Sequence, residues 1–141
     1  MLYPVAPGED ERYLNMPFAS PTPIIDLKAF VPAKDFALSQ QFYADLGFHT
    51  KWAEQSAAEL RLGDFGFVLQ AFYVEQHAGN FMMHLMVENA DVWWQHIETV
   101  GFRNKYPGIV LKRPELQPWG LRVLYLSDPS GVLWHIADRR S

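Results

Sequence analysis

The side chain that most plainly offers chemistry is His135, in the stretch LRVLYLSDPSGVLWHIAD, Leu121 to Asp138. Apolar residues alternate there through Leu121, Val123 and Tyr125 and again through Val132, Trp134 and Ile136. The turn formers Asp128, Pro129, Ser130 and Gly131 lie between the two runs, which predicts a β-hairpin. With Val132, Trp134 and Ile136 in a helix-covered core, the period of two puts Leu133, His135 and Ala137 on the opposite face. An imidazole placed there can donate or accept hydrogen bonds near neutral pH. The chain has no cysteine, which removes disulfides, thiolate metal ligands and a cysteine nucleophile. It also has no glycine-rich phosphate loop, no HExxH pair and no nucleophile elbow, so no nucleophilic catalysis is on offer. Arg122 enters the hairpin among apolar neighbours, where it pairs with an acid or receives an anion. Trp119, between Pro118 and Gly120, is a loop aromatic that closes over a ligand or packs at an interface. Trp93 and Trp94 point about 100° apart on a helix, so at least one of them belongs to the core or an interface.

These groups need a folded frame, and the composition supplies one. A chain of 141 residues with 49% hydrophobic content suits one domain with a packed core. The net charge of −4 argues against a nucleic-acid surface, where lysine and arginine must dominate, and suits a neutral or cationic small ligand. No run has the length of a membrane span and no secretory leader is visible, so the expectation is a cytoplasmic protein with no membrane partner. Aromatic residues at 15% exceed what a core of this size needs, which points to a dimer interface or a stacking pocket for a flat ligand.

Residues 1–23 hold five of the ten prolines and no period, and read as an arm. From Ile24 to Val31 the alternation predicts a first strand, with Asp26, Lys28 and Phe30 on one face. Asp35 caps a helix that runs to Leu46 and stops at Gly47. Three strands follow over Phe48–Ala53, Ala57–Leu62 and Phe65–Phe72, then a break from Gln76 to Asn80. The plan then restarts, with a strand over Met82–Val87, a helix capped by Asn89 or Asp91 and ended by Gly101, an interrupted stretch over Lys105–Glu115, and the hairpin. Leu46-Gly47-Phe48 and Val100-Gly101-Phe102 fall at one offset, the mark of an internal duplication in which Phe42 and Tyr43 answer to His96 and Ile97. The fold class expected is α+β, two βαβββ modules over about 24–75 and 80–141 within one domain, 24–141.

Three stretches, VPAKDFALSQQFYADLGF (Val31 to Phe48), HLMVENADVWWQHI (His84 to Ile97) and SDPSGVLWHIAD (Ser127 to Asp138), resemble the vicinal oxygen chelate superfamily, the glyoxalase, bleomycin-resistance and extradiol-dioxygenase group. The resemblance implies two βαβββ modules forming a cup-shaped mixed sheet, with a metal or ligand in the cup and helices outside. Metal-dependent members hold His, Gln or Glu at four inward sites, which fall here near Lys28, near Gln70, at Met82 and at His135. A lysine ammonium and a methionine thioether do not serve a hard divalent ion. One inward step brings in His84, leaving His84, His135 and Gln70 as the conceivable metal set.

The expectation is therefore a bleomycin-resistance-like homodimer that binds a small molecule in the cup or the dimer cleft, with no cofactor and no metal chemistry. The candidate ligand-binding residues are Lys28, Phe30, Gln70, Met82, His84, Met86, Trp119 and His135, a mixture of apolar lining and a few polar anchors that suits a small-molecule site. The alternatives are a metal-dependent lyase or dioxygenase of the same superfamily, in which a divalent ion polarises substrate oxygens, and a catalytically silent scaffold.

Overall fold

The computed structural model describes residues 20–140, so nearly all of the proline-rich arm lies outside the described residues. The chain forms β1 (Phe30–Pro32), α1 (Phe36–Leu46), β2 (His49–Ala53), β3 (Ala57–Leu62), β4 (Phe65–Gln70), α2 (Glu75–Asn80), β5 (Met82–Met86), α3 (Ala90–Val100), α4 (Phe102–Lys105), β6 (Leu111–Leu116), β7 (Arg122–Ser127) and β8 (Leu133–Asp138). Local chemistry sets the helix ends. The Asp35 carboxylate accepts from the Leu38 N–H at 3.0 Å, and Asn89, rather than Asp91, accepts from the N–H groups of Asp91 and Val92. Gly47 and Gly101 end α1 and α3 at φ of 128° and 86°, where a side chain would be strained.

The strands form two four-stranded mixed sheets, β1-β4-β3-β2 and β5-β8-β7-β6. In each the first strand of the module pairs in parallel with the last, and the other pairings are antiparallel. This is the α+β, twice-repeated βαβββ plan. Several details differ from the sequence pattern: β4 ends at Gln70 rather than Phe72, and Phe102–Lys105 forms the short helix α4 instead of opening a strand. The segment around Gln76 forms the short helix α2 rather than a plain break. The first strand spans only Phe30–Pro32, although Ala29 O still accepts from the Val68 N–H at 3.0 Å. Alternation specifies a strand only where one face is buried. In this chain burial starts at Val31, and Ile25 and Leu27 stand 99% and 89% exposed.

One continuous core joins the two modules. Phe42, Tyr43 and Leu46 of α1 and Leu60, Phe67 and Leu69 of the first sheet share it with Leu124, Leu126, Trp134 and Ile136 of the second sheet. Phe67 and Trp134 meet with ring centroids 5.7 Å apart, so the sheets come together through their helix-covered faces. At the junction the Tyr43 hydroxyl donates to Asp128 Oδ2 at 2.6 Å and accepts from Trp134 Nε1 at 2.9 Å. Asp128 Oδ1 accepts the N–H groups of Ser130 and Val132, and Ser130 Oγ accepts the Lys34 N–H at 2.8 Å. A second tie runs from α1 to α3 and α4, where Asp45 accepts from Tyr106 Oη and Lys105 Nζ and its carbonyl meets His96 Nε2.

Tyr43→Phe keeps the ring and strands both an indole N–H and a carboxylate oxygen in the core. It is expected to cost about 2–4 kcal/mol by urea denaturation; a loss below about 0.5 kcal/mol would show that the junction does not depend on this hydroxyl.

Candidate functional site

Because the helix-covered faces of the two sheets share the core, each sheet has an outer face, and the core lies between the two. The register defines what stands on each.

On the first sheet, Phe30, Val68, Glu59 and Trp52 form one row across β1, β4, β3 and β2. Glu59 is 4% exposed. Its Oε1 accepts from Trp52 Nε1 at 2.9 Å, and its Oε2 lies 3.6 Å from Lys28 Nζ and 3.5 Å from Arg61 Nη1. Both cations are also engaged by Asp26, Lys28 directly and Arg61 at 3.1 Å, and this ion pairing holds the Asp26 carboxyl below the usual carboxylate range. Gly66, opposite Arg61 in the register, has no space for a side chain. A Cβ there would lie 2.4 Å from Leu60 O and 2.7 Å from Arg61 Cδ. The face therefore combines a buried carboxylate, two cations held over it, and the rings of Phe30 and Trp52, with Gln70 at its end.

On the second sheet, His84, His135, Tyr125 and Lys112 form a row across β5, β8, β7 and β6. The rings of His84 and His135 are 6.3 Å apart, and Tyr125 meets His135 edge to face at 4.8 Å. Burial lowers the affinity of both imidazoles for protons, and the neighbouring His84 adds to the effect at His135. Both are thus neutral at pH 7, each with one donor and one acceptor nitrogen. Met82 and Met86 flank the row on β5, opposite Leu133 and Ala137. Trp119 packs with Tyr125 over Leu121, Val123 and Ala137, so it forms part of this wall. Beside His84, between β4 and β5, an apolar recess of about 290 Å³ is lined by Phe65, Phe67, Met83, Met86 and Trp134.

The candidate residues thus divide between two walls. His84, His135, Met82, Met86 and Trp119 come together on the second sheet, and Lys28, Phe30 and Gln70 stand on the first. Two contributors escaped the sequence reading, Glu59 and Tyr125. The period of two in β3, which sets Ala57, Glu59 and Arg61 opposite Ala58, Leu60 and Leu62, carried the signal for Glu59. Arg122 pairs with Asp91 at 2.8 Å and with buried Asp138 at 3.4 Å, the acid-pairing option of the two open to it. Trp93 and Trp94 both pack half-buried against the core.

Metal ligation of the kind the resemblance implies needs several nitrogen or oxygen donors converging on one point. No group of three or more His, Asp or Glu side chains is placed to hold an ion among the described residues. Lys28 is ion-paired, and Gln70 stands on the other sheet from the two histidines. These side chains do not compose a donor set within one chain among the described residues.

The family model for the Glyoxalase/Bleomycin resistance protein/Dioxygenase superfamily matches residues 27–136, and the chain belongs to that superfamily. A bleomycin resistance protein from Klebsiella pneumoniae is 28% identical over 107 residues, which cover 73% of this chain and 83% of the relative. A bleomycin-binding protein solved in complex with bleomycin superposes with a TM-score of 0.71 at 24% identity, covering 83% of this chain and all of that one. The bleomycin-binding protein of Streptomyces verticillus, solved with copper(II)-bleomycin, gives 0.63 at 21% identity over 80% of this chain and 96% of its own.

The imidazole shifts carry a pH dependence with a definite sign. A histidine whose folded-state pKa lies below its ordinary 6.5 is bound by more protons in the unfolded chain. Stability is therefore complete above about pH 6.5 and falls as the pH drops toward the folded-state values. Denaturant titrations from pH 8 to about pH 5 are expected to show this decline, and His84→Gln/His135→Gln to flatten it. An unchanged acid limb in that variant would assign the decline to other groups.

Proposed function

We propose that this protein binds a flat small molecule of the bleomycin type without transforming it, as a homodimer in the cytoplasm. The outer face of the first sheet of one copy and the outer face of the second sheet of the other form the two walls of the cup. The observation that carries the reading is the placement of these faces. One holds a buried carboxylate and paired cations with Phe30 and Trp52, the other a row of imidazoles, a phenol and methionines, and a shared core lies between them. A ligand gripped by both walls needs a second chain to supply the opposing one. The exposed Phe30, Met82 and Met86 also fit a surface that a partner or ligand covers. The bleomycin-resistance relative and the bleomycin-bound fold neighbours support the ligand class. No helix among the described residues is long and apolar enough to cross a membrane.

Calorimetric titration with metal-free bleomycin tests the reading. Binding is expected at one to two ligands per dimer, with sedimentation equilibrium at twice the chain mass. Tyr125→Ala and Glu59→Gln are each expected to weaken binding roughly tenfold, the scale of one lost stacking or charge-assisted contact. A monomer that binds no bleomycin would defeat the proposal. Stoichiometric divalent-ion binding lost in His84→Ala would favour the lyase or dioxygenase reading instead.

A further inference from the structure

The largest of the described concavities adjoins the second candidate wall at its β6 edge. It encloses about 570 Å³ and is lined by Trp94 of α3, Arg103 of α4, Leu111, Lys112 and Arg113 of β6, and Tyr125 of β7. Its charge runs against that of the whole chain. Three cations face one acid of the lining, Glu115, in a protein of net charge −4. Arg103 has a loose, exposed pairing with Glu98 at 3.8 Å, while Lys112 and Arg113 form no ion pair among the described residues. The register shift of β6 between Lys112 and Glu115 displaces Arg113 and Pro114 from regular pairing and turns this edge into a pocket wall. Tyr125 belongs both to the groove and to the row His84, His135, Tyr125, Lys112, so the groove begins where that row ends.

We propose that this groove is a further binding site, adjoining the second wall, for the anionic group, a carboxylate, sulfonate or phosphate, of a flat aromatic molecule. Trp94 and Tyr125 receive the ring system, and Lys112 and Arg113 receive the oxyanion. A guanidinium offers an oxyanion two parallel hydrogen bonds and an ammonium adds a point charge, whereas a neutral amide of the same shape gains neither. The site shares Tyr125 and Lys112 with the second wall of the bleomycin-type reading but draws on neither the first sheet nor a second chain, and its test turns on ligand charge at Lys112 and Arg113. Lysine, arginine and proline on a free edge strand also discourage edge-to-edge pairing. That role explains the cations but does not require a preference for one ligand charge over another.

The full-length protein is titrated with 2-naphthoate and with its neutral isostere 2-naphthamide, following tryptophan fluorescence and heat. Naphthoate is expected to bind roughly tenfold more tightly than the amide, with the difference shrinking as salt rises from about 20 to about 300 mM. Lys112→Gln/Arg113→Gln is expected to abolish the difference and leave amide binding and the unfolding temperature unchanged. Equal affinities, no binding of either probe, or a preference that survives the double substitution would each overturn the proposal. A double variant that only sediments as larger species, with its probe preference intact, would assign the two cations to edge protection. If the groove fails while bleomycin still binds, the cup reading stands alone.

Discussion

Everything in this molecule is arranged around a hydrogen bond that crosses from one module to the other. Tyr43, on the helix of the first module, and Asp128, at the turn of the last hairpin, meet at 2.6 Å, with Trp134 donating to the same hydroxyl. Burial pushes the Asp128 carboxyl up, partly offset by donation from Tyr43 and from the backbone of Val132 and Ser130. Burial likewise pushes the Tyr43 phenol well above its ordinary range. Neither group tolerates losing the other, because a buried polar atom without a partner costs more than the bond itself contributes. The tie holds Phe67 and Phe48 against Trp134 and makes one core out of two duplicated halves. With the helix-covered faces of both sheets spent on that core, the remaining faces are left on its two far sides.

The two walls left free by that constraint differ in chemistry. Each is a four-stranded surface with the same topology, but the first carries Asp26, Lys28, Glu59 and Arg61 and the second carries His84, His135, Tyr125 and two methionines. Charges on the first wall neutralise one another, with Glu59 buried beneath Lys28 and Arg61. The second wall, Lys112 at its β6 end apart, is built of flat or adaptable groups suited to an irregular aromatic ligand. A pocket that opposed them would offer a stacking side and a polar side to the same molecule. Fold alone does not dictate such a use; the side chains on the outer faces do.

Much of this was legible in the sequence because it rests on local rules. Asp35 as a cap, Asn89 as one of two cap candidates, Gly47 and Gly101 as stops, the repeat offset, and His135 on the face opposite Trp134 follow from spacing alone. The extent of β1 was not legible, since the alternation from Ile24 continues past the point where this chain can bury it. Glu59 escaped notice because a glutamate within a strand ordinarily faces solvent, and only the register shows Trp52, Lys28 and Arg61 closing over it. Tyr125 escaped for the reverse reason. Read with Leu121 and Val123 as an apolar run, it stands with them and Trp119 on the outer face while Leu124 and Leu126 take the core. The pairing of Arg122 depends on Asp91, thirty-one residues away, whose carboxyl it and Arg140 bring down to about 2. Contacts at that separation leave no periodic trace.

The most direct measurement is complementation between two inactive variants. One variant carries Phe30→Ala/Glu59→Gln on the first sheet, and the other carries Tyr125→Ala/His135→Ala on the second. Each is expected to lose bleomycin binding as a homodimer. Refolded together in equal amounts, they are expected to recover about a quarter of the wild-type sites, because each mixed dimer pairs one intact first wall with one intact second wall. A mixture that binds no more than the separate variants would contradict a cup built from two chains.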